Sequence, residues 1–412
     1  MVSAREFYAF RLQIRRNTNS ILLESARLLH QFTVDMYVKI ETSRLDYFRN
    51  RQEEIRADLY QGIVDSIGHG ESDPAKIGKR IVLPSTFIGG PRDMRKRYLN
   101  AMTLVERYGK PNLFLTMTCN PNWPEIKDEM KAHEEAQNRA DLLSRVFRSK
   151  VEHLQKEIVK NQLFGPVQAY TFVIEFQKRG LPHVHMLIIL KKLVKLDTID
   201  KIDAFISAEI PDKKKYPHLY AMVLKHMMHG PCGELDMRRT CMENGKCKNH
   251  YPRSHCAETT IDSDGYPIYR RRLTGEVVEI RGQMLDNRWV VPYNPYLLAT
   301  FDCHINVEQF QAARRISPPE AIWRIYRFAL HEIRPAVISL QLHLEGCQLM
   351  PLKKDTNLHN IVDNEFMSRT MLTQFFWMNA HNDKAKSLKL LYKDFPQHFV
   401  WTASSRTWTE RK

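Results

Sequence analysis

The residues best suited to chemistry are two histidines separated by one residue, His183 and His185. They begin an apolar run that reads as a β-strand, so both imidazoles project from the same face of the strand. Glu175 lies eight residues earlier, near the end of a preceding strand, where its carboxylate could complete the set. Two histidines and one carboxylate suit Mn²⁺ or Mg²⁺ holding a phosphate oxygen, or Zn²⁺ or Fe²⁺ in other chemistries. Such histidine pairs also occur without a ligand on half-buried strands.

A second group of ligand-type residues consists of His229, Cys232, Cys241 and Cys247. Three thiolates and one imidazole suit a tetrahedral structural Zn²⁺, with Cys256 or His250 as substitute ligands. No signal peptide precedes the seven cysteines, and in a reducing compartment such clustering suggests metal before disulfides. The alternative is that these are unpaired cysteines in or near the core.

The elements around the first group alternate between strand and helix patterns. We expect a strand at 112–118 closed by turn residues 119–124, a helix over 125–162 capped by Asp141, and strands at 170–176 and 183–190 joined as a hairpin. Upstream, three- and four-residue apolar steps predict one long helix or two consecutive helices from Ile21 to about Ser66. The fold class is therefore α+β with an antiparallel sheet.

The composition limits the classes of function. A chain of 412 residues with a net charge of +15 should hold about two or three domains and favours a polyanionic partner such as nucleic acid. A basic stretch with Tyr98 is either a phosphate-contacting surface or an ordinary exposed helix start; its cations are Arg92, Arg95, Lys96 and Arg97. No signal peptide or membrane span is evident, which predicts an intracellular protein. The motifs of P-loop helicases and of zinc deaminases do not occur.

Two long strings carry a resemblance to a known family. The segments 114–125 and 175–185 resemble the first two motifs of the replication-initiator (HUH) nuclease domain of Helitron rolling-circle transposases, commonly labelled Helitron helicase-like. Further stretches also look like this family: 83–85, 90–92, 226–233, 264–272 and 287–296. The resemblance implies an HUH-nuclease core at 109–310 with a Cys/His-rich insertion at about 226–256. A helical, basic region at 1–108 would precede it, and a small α+β extension at 311–412 would follow.

The resemblance also implies a mechanism. In this family the histidine pair holds a divalent metal that polarises a phosphodiester of single-stranded DNA, and a tyrosine attacks to form a 5′-phosphotyrosine. Carried over by motif, the metal ligands are His183, His185 and Glu175. Residues Thr116, Thr118 and Asn120 would support the metal or contact DNA, their alternative role being strand-end capping. For a eukaryotic host, the nucleus is the expected location, and protein partners are not implied.

The chain departs from its family where the nucleophile belongs. The strand ending at Glu308 is joined almost directly to the motif that begins at Ile316 by residues 309–315, which contain no tyrosine. Tyr326 is nearest but belongs to the downstream motif and is a weak candidate. We therefore expect a Helitron-derived transposase fragment that binds metal and single-stranded DNA with little or no nicking. The alternative is a non-catalytic DNA-binding module with structural zinc.

Overall fold

The computed structural model divides the chain into two compact units. One comprises residues 1–40 with 101–335, and the other residues 41–100 with 336–412. The structure describes residues 2–15, 20–50, 56–59, 79–80, 83, 87–132, 134–177, 180–191, 198–261, 267–306, 331–345, 347–352 and 365–411. The weak candidate Tyr326 and the joining segment 309–315 lie outside these residues. In the described part of the chain, no helix has both the length and the apolar composition needed to cross a bilayer.

The first unit is built on a five-stranded antiparallel sheet. Its strands are β1 (Leu113–Thr118), β2 (Val167–Phe176), β3 (Pro182–Leu190), β4 (Ile305–Asn306) and β5 (His331–Arg334). Their order across the sheet is β4-β1-β3-β2-β5. The strands predicted near 112, 170 and 183 and the hairpin between the last two are confirmed, as is the mixed α+β class.

One face of this sheet forms the core, because alternate residues along each strand are apolar and buried. Val184, Met186 and Ile188 are fully covered on β3, the central strand. The helix Ala140–Gln155, extended by a π-helical turn Lys156–Lys160, packs Phe147, Val151 and Leu154 against this face. Burying each such side chain contributes about 1.5–3 kcal/mol. The opposite face therefore carries the polar residues of the same strands.

Asp141 does not cap this helix as predicted. The N-cap position is Arg139, and Asp141 lies buried in the first turn, where it accepts hydrogen bonds from the Arg139 guanidinium. The predicted single helix over 125–162 is also divided, because residues before Ala140 form two shorter turns, Pro124–Lys127 and Ala136–Asn138. A proline at position 124 starts the first of these turns.

The remaining elements of the first unit are short. Its other helices are Ala4–Arg11, the first part of Arg27–Asn50 (up to residue 40), Ile199–Phe205, Pro217–His226, Asn287–Trp289 (3₁₀) and Pro295–Phe301. Three two-stranded ribbons pair Met242–Glu243 with Lys246–Cys247, Thr260–Ile261 with Pro267–Ile268, and Val278–Ile280 with Gln283–Leu285. Around the first and last ribbons a second apolar core forms, which includes Cys232, Cys247 and Trp289.

The second unit has its own small sheet and apolar cluster. Arg56–Leu59 pairs with Lys79–Arg80 and with Leu349–Leu352, so the helix predicted from Ile21 to about Ser66 is wrong at these positions. A distant pairing partner overrides the local helical period there. The other elements are the helices Pro91–Tyr108, Glu365–Ser368, Met371–His381 and Asp383–Leu388, the 3₁₀ helix Tyr392–Gln397, and the hairpin Phe399–Thr402 with Thr407–Glu410. Phe395, Phe399 and Trp408 form its core.

Candidate metal centres

The register of the central sheet brings the first predicted site together. Glu175 on β2 lies directly opposite His183 on β3, and His183 in turn lies opposite Thr118 on β1. His185, two residues further along β3, lies opposite Thr116. All these side chains project from the polar face of the sheet. A chain that alternates apolar and polar residues on three adjacent strands can produce this convergence only with this register.

The three predicted ligands meet at one carboxylate oxygen. Glu175 Oε2 lies 3.2 Å from His183 Nε2 and 3.3 Å from His185 Nε2, and the three side chains are half-buried. Ligand atoms in neighbouring positions around one octahedral divalent cation are about 3 Å apart, so the spacing fits a shared ion. Hydrogen bonds from His183 and His185 lower the pKa of Glu175 to about 2. The carboxylate is therefore ionised at physiological pH, as a metal ligand must be.

Two neighbours fix the orientation of His185. Thr116 Oγ1 lies 2.8 Å from His185 Nδ1, and the Phe114 ring stacks on the imidazole at 5.5 Å with planes only 5° apart. A hydroxyl can donate or accept, so Thr116 can bond Nδ1 in either tautomer. When Nδ1 carries the proton, the lone pair of Nε2 is free to face a cation. Thr116 is thus a positioning residue for the ligand.

The other two residues of the first motif have different environments. Asn120 donates from Nδ2 to the carbonyl oxygen of Asp302 at 2.6 Å and accepts from the Asn122 N–H at 2.9 Å, which is the strand-end role foreseen as its alternative. Within the described residues, the Thr118 hydroxyl makes no hydrogen bond, although it lies beside His183 in the sheet. Thr118 is therefore free to contact a ligand on the polar face, whereas Asn120 is occupied by the turn.

Sequence reasoning missed a group of polar residues beside this site. Burial, followed by the nearby His226, His183 and His229, lowers the pKa of His304 to about 4. His226 Nε2 lies 2.7 Å from Asp302 Oδ1, which also accepts a hydrogen bond from Lys225 at 3.0 Å. These residues come from a helix end and from the start of β4, and no local pattern connects them. The carbonyl oxygen of His304 also accepts a hydrogen bond from the N–H of Thr118, which lies opposite His183.

A tight hairpin brings together two ligands of the second group. Met242 pairs with Cys247 and Glu243 with Lys246, and the two turn residues Asn244 and Gly245 both have positive φ angles. Asn-Gly is the preferred dipeptide for this type of two-residue turn, so these two residues alone predict a hairpin here. The Lys248 N–H then donates to the carbonyl oxygen of Cys241. Cys241 and Cys247 are consequently held side by side.

The four predicted zinc ligands form one compact cluster. The ligand atoms of His229, Cys232, Cys241 and Cys247 all lie within 4.8 Å of one another. Cys247 Sγ lies 3.4 Å from His229 Nε2, close to the separation of about 3.5 Å expected for sulfur and nitrogen ligands on one tetrahedral zinc. Cys256 instead donates its thiol hydrogen bond to the Glu258 carbonyl oxygen, and neither it nor His250 joins the cluster.

The surroundings of this cluster give its members different protonation states. Burial, and then the positive charges of Arg253 and Arg281, lower the pKa of His229 to about 4, so its imidazole is neutral at pH 7. Burial raises the pKa of Cys232 to about 12 and also raises that of Cys241, whereas backbone N–H groups help to lower the pKa of Cys247 despite burial. Thiolate is the form that coordinates zinc, so Cys232 and Cys241 would release protons when a cation binds. Three thiols and one neutral imidazole are nonetheless a donor set that fits a structural zinc ion.

The predicted basic surface lies on the helix Pro91–Tyr108. Arg92, Arg95 and Lys96 are exposed there, next to Tyr98, whose residue exposure is 63%. Arg97 differs from the other three because its Nε lies 3.0 Å from Asp93 Oδ2 in an ion pair within one helical turn. Three of the four predicted cations are thus accessible to a phosphate.

Comparison with known proteins agrees with the sequence resemblance. Residues 7–188 match the family model described as the Helitron helicase-like domain at the N-terminus, a range that contains Glu175, His183 and His185. No curated protein matches the chain. The cysteine cluster lies beyond the matched residues. Residues 7–188, somewhat less than half of the chain, are therefore similar to the Helitron helicase-like domain.

Proposed function

We propose that this chain binds single-stranded DNA at a divalent-cation site formed by Glu175, His183 and His185. The observation that carries the proposal is the convergence of the three ligand atoms on the polar face of the sheet, at 3.2 and 3.3 Å. The site lies within the range that matches the Helitron helicase-like family. The net charge of +15 agrees with a polyanionic partner. The chain would thus be a transposase fragment descended from a rolling-circle replication initiator.

Each residue of this site has a distinct task. Glu175 supplies the negative charge that a hard cation such as Mn²⁺ or Mg²⁺ prefers, and His183 and His185 supply neutral nitrogen. Thr116 holds His185 so that Nε2 faces the shared point. A cation held there would act as a Lewis acid toward a phosphodiester oxygen and orient the strand. The half-exposed side chains leave room for a phosphate on the polar face.

We further propose that the chain does not nick DNA efficiently, because residues 309–315, where the resemblance places the nucleophile, contain no tyrosine. Several described tyrosines are committed to other partners. Tyr170 O–H donates to Glu332, and burial with that carboxylate raises its pKa to about 12. Tyr293 O–H donates to the Glu209 carbonyl oxygen, and burial raises its pKa to about 12. A raised pKa disfavours the phenolate that would attack phosphorus.

The cysteine cluster supports a second proposed site, a structural zinc centre. Three sulfur atoms and one nitrogen atom lie close enough to share one ion, and the low pKa of His229 keeps its imidazole neutral for binding. Such a centre fits the alternative role of the chain as a DNA-binding module, and it does not compete with the first site. Its contribution would be to stabilise the surrounding loops, which have little regular structure.

One experiment tests metal-dependent DNA binding and nicking together. Fluorescently labelled single-stranded oligonucleotides are incubated with the protein and Mn²⁺, then analysed by anisotropy and on a denaturing gel. We expect binding that weakens when His183→Ala and His185→Ala are combined, and no covalent adduct. Absence of binding at low salt would refute the DNA-binding proposal. An adduct mapped to Tyr326 or to any other tyrosine would refute the proposed loss of nicking.

A further inference from the structure

The cysteine cluster is surrounded by exposed positive side chains that the proposed function leaves unused. Lys246, Lys248, Arg253 and Arg281, here called the hairpin cations, are all exposed. Arg281 donates to the carbonyl oxygen of Gly230 at 2.8 Å, and Arg253 lies over the ring of Tyr251, which stacks on His229. Within the described residues, none of the four forms an ion pair with a carboxylate, whereas nearby Arg239 is paired with Asp236 at 3.0 Å.

The hairpin aims two of these cations in one direction. Cys247 is buried and faces the cluster, so Lys246 and Lys248 on either side of it must face solvent. Alternate residues of a strand are about 6.6 Å apart, which allows two lysines to reach neighbouring phosphates of one strand. The Asn244-Gly245 turn and the thiol of Cys247 fix this strand, so the two charges are presented by a rigid element.

The hairpin cations also lie near the first metal site. His226 lies three residues before His229, and its Nε2 lies 2.7 Å from Oδ1 of Asp302, two residues before His304. The backbone of His304 accepts a hydrogen bond from Thr118 N–H at 3.0 Å, and Thr118 lies opposite His183. The two clusters are therefore neighbours within the same unit.

We propose that a DNA strand held at the Glu175 site continues over the hairpin cations, whose Lys246 and Lys248 contact its phosphates. This inference rests on the proposed function. Among the described residues these four exposed charges have no carboxylate partner, and four cations around one cluster suit an extended polyanion better than a single small anion. The cysteine cluster then serves DNA binding by holding the lysines in place.

The test compares salt dependence of binding between charge-matched variants. Anisotropy of a labelled oligothymidine is measured from low to high salt for the wild-type chain, for Lys246→Ala with Lys248→Ala, and for Lys214→Ala with Lys215→Ala. The control pair is also exposed and lies in the same unit, before the helix Pro217–His226. Each phosphate contact contributes about 0.7 to the slope of log affinity against log salt.

We expect the Lys246 and Lys248 variant to lose about 1.4 from the slope and about 25-fold in affinity at 0.1 M salt, with the control close to wild type. Bound zinc, measured by elemental analysis, should be unchanged in both variants. Arg253→Gln is measured separately, so that the inference can still be tested if the lysine variant loses its zinc. This variant should lower the slope by about 0.7. Wild-type binding with unchanged slopes in both hairpin variants would overturn this inference alone. Absence of wild-type binding would instead overturn the proposed function.

Discussion

Replacing Thr116 with valine tests whether the hydrogen bond to His185 prepares that imidazole for metal binding. Valine has nearly the same shape, so the strand and its core face should be unaffected. Thr116 is only 8% exposed, and its hydroxyl lies 2.8 Å from His185 Nδ1. In the metal-bound form Nε2 must be unprotonated, so the proton resides on Nδ1 and needs an acceptor. Without the hydroxyl, this N–H loses its protein partner.

The expected magnitude follows from the cost of that unsatisfied group. Leaving a buried donor without a partner costs about 1–3 kcal/mol, and about 1.4 kcal/mol corresponds to tenfold in affinity. Loss of a hydrogen-bond partner behind a metal-binding histidine typically weakens metal affinity by about 10- to 100-fold. We therefore expect Thr116→Val to raise the dissociation constant for Mn²⁺ by about 10- to 100-fold.

The assay is a Mn²⁺ titration in which electron paramagnetic resonance measures the free ion. Thr118→Val provides the matched control, because Thr118 lies on the same strand and face but has no hydrogen bond to a ligand within the described residues. Its metal affinity should stay within about threefold of wild type. Equal affinities for Thr116→Val and wild type, or equal losses in both variants, would refute the positioning role.

Three further outcomes are expected. With metal removed by a chelator, ionised Glu175 should stabilise the fold at pH values above its ordinary pKa of 4.5, and this contribution should disappear as the pH falls toward about 2. The free energy of unfolding is compared between the wild-type chain and Glu175→Gln across this pH range, and a difference that is already lost at pH 5 contradicts the expectation. Cys247→Ala should release zinc and lower the unfolding midpoint by about 10 °C, while Cys256→Ala should do neither. Gly230→Ala should cost about 3 kcal/mol in denaturant unfolding, because φ is +101° and the added Cβ would lie 2.7 Å from a tryptophan ring. Gly275→Ala, with φ of +76° but no atom nearby, should cost only about 1 kcal/mol.

The sequence contained enough information to place the Glu175, His183 and His185 group. A period-two pattern and a short loop determine a hairpin, and the hairpin determines which side chains share a face. The cysteine ligands were also found from residue type alone. The hairpin that brings Cys241 and Cys247 together is also encoded locally, because Asn244-Gly245 is a strong signal for a two-residue turn.

Other features depend on contacts between distant segments, which no local pattern records. The strand Arg56–Leu59 exists because Leu349–Leu352 pairs with it, and its local sequence has a helical period. The position of His304 beside Thr118 likewise follows from how the fold places β4 next to β1. Tertiary context overrides local preference at such positions.

A metal site can persist without a recognisable nucleophile when strand register alone fixes the positions of its ligands. The positions of His183 and His185 are fixed by β3, whose alternate residues Val184 and Met186 are fully buried in the core. Shifting the register by one residue would expose those apolar side chains and bury both imidazoles, so folding itself maintains the ligand geometry. A tyrosine on a separate segment has no such coupling to the core. Loss of such a segment would therefore remove the attacking group while leaving the geometry of the proposed cation site unchanged.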